Sequence, residues 1–252
     1  MSQANRPKRV APPPRQNPLP GIISALVVVL LLAGLIIMLV TNRGGGSTAA
    51  APTAAPFAAE PTAAAPAAAA GGADDVAARN DKYAAQGAPP MTIDPSKNYT
   101  ATITTPRGDI VIKLRPDIAP KTVNSFVFLS KEGFYNGVTW HRVLSGFMAQ
   151  GGDPTGTGTG GPGYTVPGEF TDKVLFDKPG IVAMARPGND VNGNGSQFFI
   201  TTAPATSLNN QYTVFGEVQS GQDIVNGIPL RDPDQNPTTP GEQIVKITIS
   251  ES

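Results

Sequence analysis

The chain has no cysteine and, among 252 residues, a single histidine, His141. Without thiols there are no disulfide staples, thiolate metal sites or cysteine nucleophiles. One imidazole cannot build a multi-histidine transition-metal centre within one chain, which removes many hydrolase chemistries. Charge is scarce as well. Only 15% of residues are charged and the formal net charge is zero, so no field of one sign is available to hold nucleic acid. From Met91 onward 12 basic residues face 15 acidic ones, a balance of −3. The basic excess is confined to Arg6, Lys8, Arg9 and Arg15, in a proline-bearing tail of twenty residues without an acid.

Long apolar runs are missing with one exception, Gly21 to Val40, twenty residues without a charge. As a helix that run is about 30 Å long, the thickness of a bilayer's hydrocarbon core. The basic residues before it predict that the tail at 1–20 stays in the cytoplasm and that the rest lies outside. A cleaved signal peptide is the alternative, but signal h-regions are shorter, which favours an uncleaved anchor. Residues 41–90 are rich in Ala, Pro and Gly, and their prolines interrupt each alanine run. They read as a flexible linker spanning roughly 40 Å root-mean-square, with one short helix possible from Asp74 to Ala85.

Residues 91–252 suffice for one buried core. Strand-like alternation occurs at Tyr99–Thr104, Asp109–Leu114 and Val245–Ile249. The first two flank Pro106-Arg107-Gly108, a hairpin signal. Between Ala119 and Gly133 the period becomes helical: Pro120 suits a first helical position, and Val123, Phe126, Val127 and Ser130 share a face. Short apolar runs at Thr139–Leu144, Gly180–Met184, Phe198–Thr201 and Thr213–Val218 are separated by Gly/Pro/Asn loops. A second helix, Gly221–Ile228, ends at Pro229. Many short strands with one or two helices predict a mainly β chain, a closed antiparallel barrel.

The densest motif runs from Trp140 to Asp153, followed by glycine-rich Gly156–Gly163, by Met184-Ala-Arg-Pro187 and by Asn194-Gly-Ser-Gln-Phe-Phe-Ile-Thr201. In this order and spacing the blocks, with the surrounding segment from about Thr100 to Ile249, closely resemble the cyclophilin family of peptidyl-prolyl cis–trans isomerases. The resemblance implies a closed eight-stranded antiparallel β-barrel capped by two α-helices, with an active groove on its outer surface and proline-containing peptides and unfolded proteins as partners. It implies Arg142 as the catalytic residue. Phe147, Met148, Phe199 and Leu208 would form the apolar pocket for proline, with Tyr212 lining it where many members carry histidine. Gln150 would bind substrate backbone, the main chain at Ala185 and Arg186 would pair with the peptide, and Gln197 would support the groove floor and orient Arg142. Gly158 and Thr159 would lie beside a secondary pocket. Ser207 stands where many eukaryotic members have tryptophan, so weak cyclosporin binding is expected, and a nanomolar dissociation constant would contradict it.

These residue types suit the reaction. Amide resonance makes rotation about X-Pro slow, with a barrier of about 18–20 kcal/mol. In the twisted state the proline nitrogen regains its lone pair, and a guanidinium donor aimed at it favours that state over the planar one. No metal, cofactor or nucleophile is required, and the domain is expected to act as a monomer. Set against this reading are a proline-peptide binding module with little turnover, and a carbohydrate- or nucleotide-binding barrel. The latter rests on Gly156-x-Gly158-x-x-Gly161, which lacks the helix a dinucleotide fingerprint needs, because Pro162-Gly163 follow. His141 reads as a packing and hydrogen-bonding residue, since no motif places a carboxylate or serine to partner it.

Overall fold

The computed structural model describes residues 73–252, Asn189 excepted. The expected membrane span at 21–40 lies outside them. Among the described residues no helix is long and apolar enough to cross a membrane.

Eight strands form one antiparallel sheet: β1 (Tyr99–Thr105), β2 (Gly108–Leu114), β3 (Arg142–Leu144), β4 (Met148–Gly151), β5 (Ile181–Met184), β6 (Phe198–Thr201), β7 (Val214–Ser220) and β8 (Lys246–Glu251). Their order is β3-β4-β6-β5-β7-β2-β1-β8. β1 and β2 pair from Thr100↔Lys113 to Thr105↔Gly108, leaving Pro106-Arg107 as a two-residue turn. Strict alternation on β1 buries Tyr99, Ala101, Ile103 and Thr105, so one face of this hairpin looks at the core.

The ladder curls without closing on itself. Its ends, β3 and β8, do not pair with each other. Residues 242–245 cross the gap instead: the Trp140 N–H donates to Glu242, the Ile244 N–H to Val138 and the Val245 N–H to Thr104. Isolated bridges at Thr139↔Gln243 and Val143↔Arg231 complete the seam. A curled half-barrel therefore replaces the expected closed barrel. Pro229, Pro233, Pro237 and Pro240 lack the N–H groups that a continuous strand there would need.

Helix α2 (Pro120–Lys131) begins at Pro120 as expected and buries Val123, Phe126, Val127 and Leu129. Ala119 offers no side-chain cap. Glu169 supplies one from a distant loop, accepting from the Lys121 and Thr122 N–H groups, where the helix dipole favours an anion. Phe126 packs on Tyr135, Phe198 and Phe215 at centroid distances of 5.0–5.6 Å, so the helix closes the inner core. The second expected helix is present as α3 (Gln222–Gly227).

A third helix, α1 (Ala73–Ala77), opens a strap that runs on in turns to Gln86. The fold thus starts earlier than Met91, and the last part of the expected linker is packed on the domain. Val76 and Tyr83 are buried. Tyr83 meets Phe128 edge-on at 5.2 Å, and the Arg79 guanidinium donates to the carbonyls of Gly133, Phe134 and Asn136 beyond α2. Asn124 on α2 then holds the chain that follows, donating to Pro90 and accepting from the Thr92 N–H.

Candidate functional site

Arg142, Gln150, Phe199 and Ala183 are directly opposite one another across β3, β4, β6 and β5, so they share one face of the sheet. Their neighbours along each strand face the other way: Val143, Ala149, Phe198, Ile200 and Val182 belong to the inner core. The outer face carries a second apolar cluster built from Met148, Phe199, Ile181, Ala183 and Val214 together with Val174, Phe176 and Ala205 from loops. Phe147, Leu208 and Tyr212 pack against its edge. β6 is therefore buried on both sides, with all four of its residues inaccessible.

In this cluster an open cavity of about 180 Å³ is lined by Arg142, Phe147, Met148, Gln150, Ala185, Arg186, Phe199, Leu208 and Tyr212. Nine of the ten residues expected at the site thus meet in one hollow. Phe199 forms its floor, stacked on Phe176 at 6.0 Å and met edge-on by Tyr212 at 5.7 Å. The Arg186 guanidinium lies 4.8 Å over the Tyr212 ring and donates to Gln211 and Gly188. Arg142 is half-buried. Among the described residues no hydrogen bond or ion pair engages its side chain. Nor does any backbone hydrogen bond there use the main chain of Arg186.

Gln197, the tenth residue, does not orient Arg142. Its side chain accepts from Gln150 at 3.0 Å and donates to the carbonyls of Gly158 and Gly160 at 3.0 and 2.9 Å. It ties the groove to the glycine-rich loop. Gly158 and Thr159 line a larger adjoining cavity of about 670 Å³, which shares Gln150, Ala185 and Arg186 with the smaller one.

Sequence reasoning gave Asp153 no role, yet it organises that loop. It is fully buried and accepts from the N–H groups of Thr155, Thr157 and Gly158 and from the Thr155 hydroxyl. Burial pushes its carboxyl up, but these donors outweigh burial and hold it below the usual aspartate range. The preceding Gly152 has φ +90°, and a Cβ there would lie 2.4 Å from the Ser196 carbonyl oxygen, so only glycine lets the chain pass this close to Ser196. His141 is buried as expected, but neither ring nitrogen has a hydrogen-bond partner among the described residues. Burial lowers its pKa, with the nearby Asp153 charge working against that shift, so at neutral pH it is an uncharged packing residue.

A β protein with an open groove on the outer face of its sheet is the class these features define. Residues 100–249 match the family described as cyclophilin type peptidyl-prolyl cis-trans isomerase/CLD, and the chain belongs to that family. Peptidyl-prolyl cis-trans isomerase A of Mycobacterium tuberculosis is 45% identical over 179 residues, covering 64% of this chain and 97% of its own. Peptidyl-prolyl cis-trans isomerase B of Streptomyces anulatus is 43% identical over 162 residues, 58% of this chain and 91% of its own. The crystal structure of a Cryptosporidium parvum cyclophilin type peptidyl-prolyl cis-trans isomerase superposes with a TM-score of 0.56 at 34% identity, covering 62% of this chain and 99% of that one. The chain is thus an enzyme, a peptidyl-prolyl cis–trans isomerase acting on proline-containing peptides and proteins.

Proposed function

We propose that Arg142 drives isomerisation by donating to the prolyl nitrogen as the X-Pro bond twists, while the pocket of Phe147, Met148, Phe199, Leu208 and Tyr212 grips the pyrrolidine ring. The observation that carries this reading is the uncommitted guanidinium of Arg142 in the same hollow as the apolar side chains of Phe147, Met148, Phe199 and Leu208. A guanidinium stays charged at any working pH and presents a rigid fork of donors. Partly shielded from water and without a protein partner, it interacts most favourably with the lone pair that appears only in the twisted state. With the ring held, the preceding carbonyl is the part that turns. The Gln150 amide and the free main chain at Arg186 fix the peptide on either side. Neither proton transfer nor a covalent intermediate enters the step.

Two-dimensional exchange NMR on an Ala-Pro peptide tests the role of Arg142. Arg142→Ala is expected to lower kcat/KM by about 10²–10³ with an unchanged melting temperature. Binding of the peptide without faster exchange by the unsubstituted protein would instead favour a recognition module.

We further propose that residues 21–40 anchor the chain in a membrane, with the N-terminal tail in the cytoplasm and the isomerase domain outside it, assisting exported chains. The asymmetric distribution of Arg6, Lys8, Arg9 and Arg15 supports this orientation. Protease added to intact cells should remove the domain, and full protection would reverse the topology.

A further inference from the structure

We propose that the strap, residues 73–86, is a working wall of the substrate groove, and that Asp81 selects peptides carrying a basic side chain near the proline. This inference rests on the groove assignment made above. The strap lies outside the residues that match the family, 100–249, yet it is fastened to the glycine-rich loop. The Asp81 N–H donates to Gly161 at 3.0 Å, the Tyr83 N–H to Pro162 at 2.9 Å, and Asn80 Oδ1 accepts from the Gly161 N–H at 2.9 Å. The contact is close enough that a Cβ on Gly163 would sit 2.7 Å from the Ala84 nitrogen. The strap therefore braces the loop whose carbonyls hold Gln197, and through Gln197 it braces Gln150.

The same fastening brings Asp81 into the lining of the larger cavity, which opens beside the proline pocket and shares Gln150, Ala185 and Arg186 with it. A peptide with its proline ring in the smaller hollow has a flanking side chain within reach of the larger one. Only two lining residues there are charged, Asp81 and Arg186. The Arg186 guanidinium is turned away, onto the Tyr212 ring and the Gly188 and Gln211 carbonyls. Lys82 is also directed elsewhere, its ammonium 5.1 Å over the Tyr83 ring. The Asp81 carboxylate is exposed, accepts one hydrogen bond from Asn80 at 2.9 Å, and has no salt bridge among the described residues. The rest of the wall is neutral and includes Thr159, Tyr164, Ser196 and Gln197. A cationic side chain entering this cavity meets Asp81 as its one acidic lining residue, with Asp190 behind Gly193 adding charge of the same sign, and an anionic one meets repulsion.

The experiment uses the full-length chain in mild detergent and a set of Pro-containing peptides with Lys or Glu placed one to three residues from the proline on either side. At one position the ratio of kcat/KM for Lys over Glu is expected to be roughly three- to tenfold, the size of a partly exposed ion pair, and to shrink at about 0.5 M salt. Asp81→Asn should bring the ratio close to one, and Asp81→Lys should invert it. Asn tolerates the left-handed backbone found at this position, φ +57°, so the first variant removes charge without straining the strap. A wild-type ratio of one at every position, or a Lys preference that survives Asp81→Asn, would overturn the inference. Absence of exchange with every peptide would overturn the groove assignment on which it rests.

Discussion

The two faces of β6 are four residues of one strand put to opposite uses. Phe198 and Ile200 point into the inner core, where Phe198 touches Phe126, Tyr135 and Trp140 at 5.6–5.7 Å, each edge-on. Phe199 points outward, and its partners are the loop residue Phe176 and the groove residue Tyr212. Both rings are buried, at 0% and 4% exposure, so burial alone does not tell them apart. The neighbours do: Phe198 is surrounded by elements that cannot retreat, whereas Phe199 borders a hollow left open for a ligand. The lesson is that a buried aromatic is a core residue only if all its sides are closed.

Substitution should separate the two sharply. Phe198→Ala leaves a cavity in a closed core and is expected to cost about 3–5 kcal/mol in urea unfolding. Phe199→Ala enlarges a space that already meets solvent, so its stability cost should be under half as large. Its main effect should be on turnover, where kcat/KM for Pro peptides should drop at least about tenfold. Equal destabilisation by both would erase the distinction. A finer test concerns the loop that frames the groove. Asp153→Asn weakens the carboxylate's bonds to Thr155, Thr157 and Gly158, at an expected cost of about 1–2 kcal/mol at pH 7. Because the folded-state carboxyl is held below its usual range, the wild-type advantage is complete above the ordinary aspartate value of about 3.9. It disappears as pH falls through the lower folded value. The gap between the unfolding midpoints of the two proteins should hold from pH 7 down to about pH 4 and narrow progressively below it. A gap that stays constant to the lowest pH at which both remain folded would place the effect in packing instead.

Local pattern revealed some of this architecture and concealed the rest. β1, β2 and α2 were legible because alternation, a turn and Pro120 each act within a few residues. The run Phe198–Thr201 was found, but four consecutive apolar or small residues carry no period from which to choose an inner and an outer face. β4 escaped notice as a strand because Met148–Gly151 is short and runs into Gly152. The strap shows in the sequence only as a possible helix from Asp74 to Ala85 inside a linker, whereas the helix is confined to Ala73–Ala77 and turns follow it. Val76, Arg79 and Tyr83 at spacings of three and four are the signal that one side of it is docked. Arg142 and its companions came from family resemblance. Nothing in local physics distinguishes an arginine in a groove from one on a surface, since that difference is made by β4, β6 and the 205–212 loop folding beside it.

The bridged gap between β3 and β8 matters for a protein that acts on proline-containing peptides and proteins. An exposed strand edge offers unpaired N–H and C=O groups on which any extended polypeptide can crystallise as an extra strand. Here β3 is three residues long, and the outward-facing N–H and carbonyl of Val143 are both taken by Arg231. At the other end, β8 alternates exposed Lys246, Thr248 and Ser250 with inward residues and finishes on Glu251, which is paired with Lys97. Short length and a bridge at β3, and charged ends at β8, make both edges poor templates for a visiting chain. An isomerase that handles extended peptides thus offers them little of its own sheet to join.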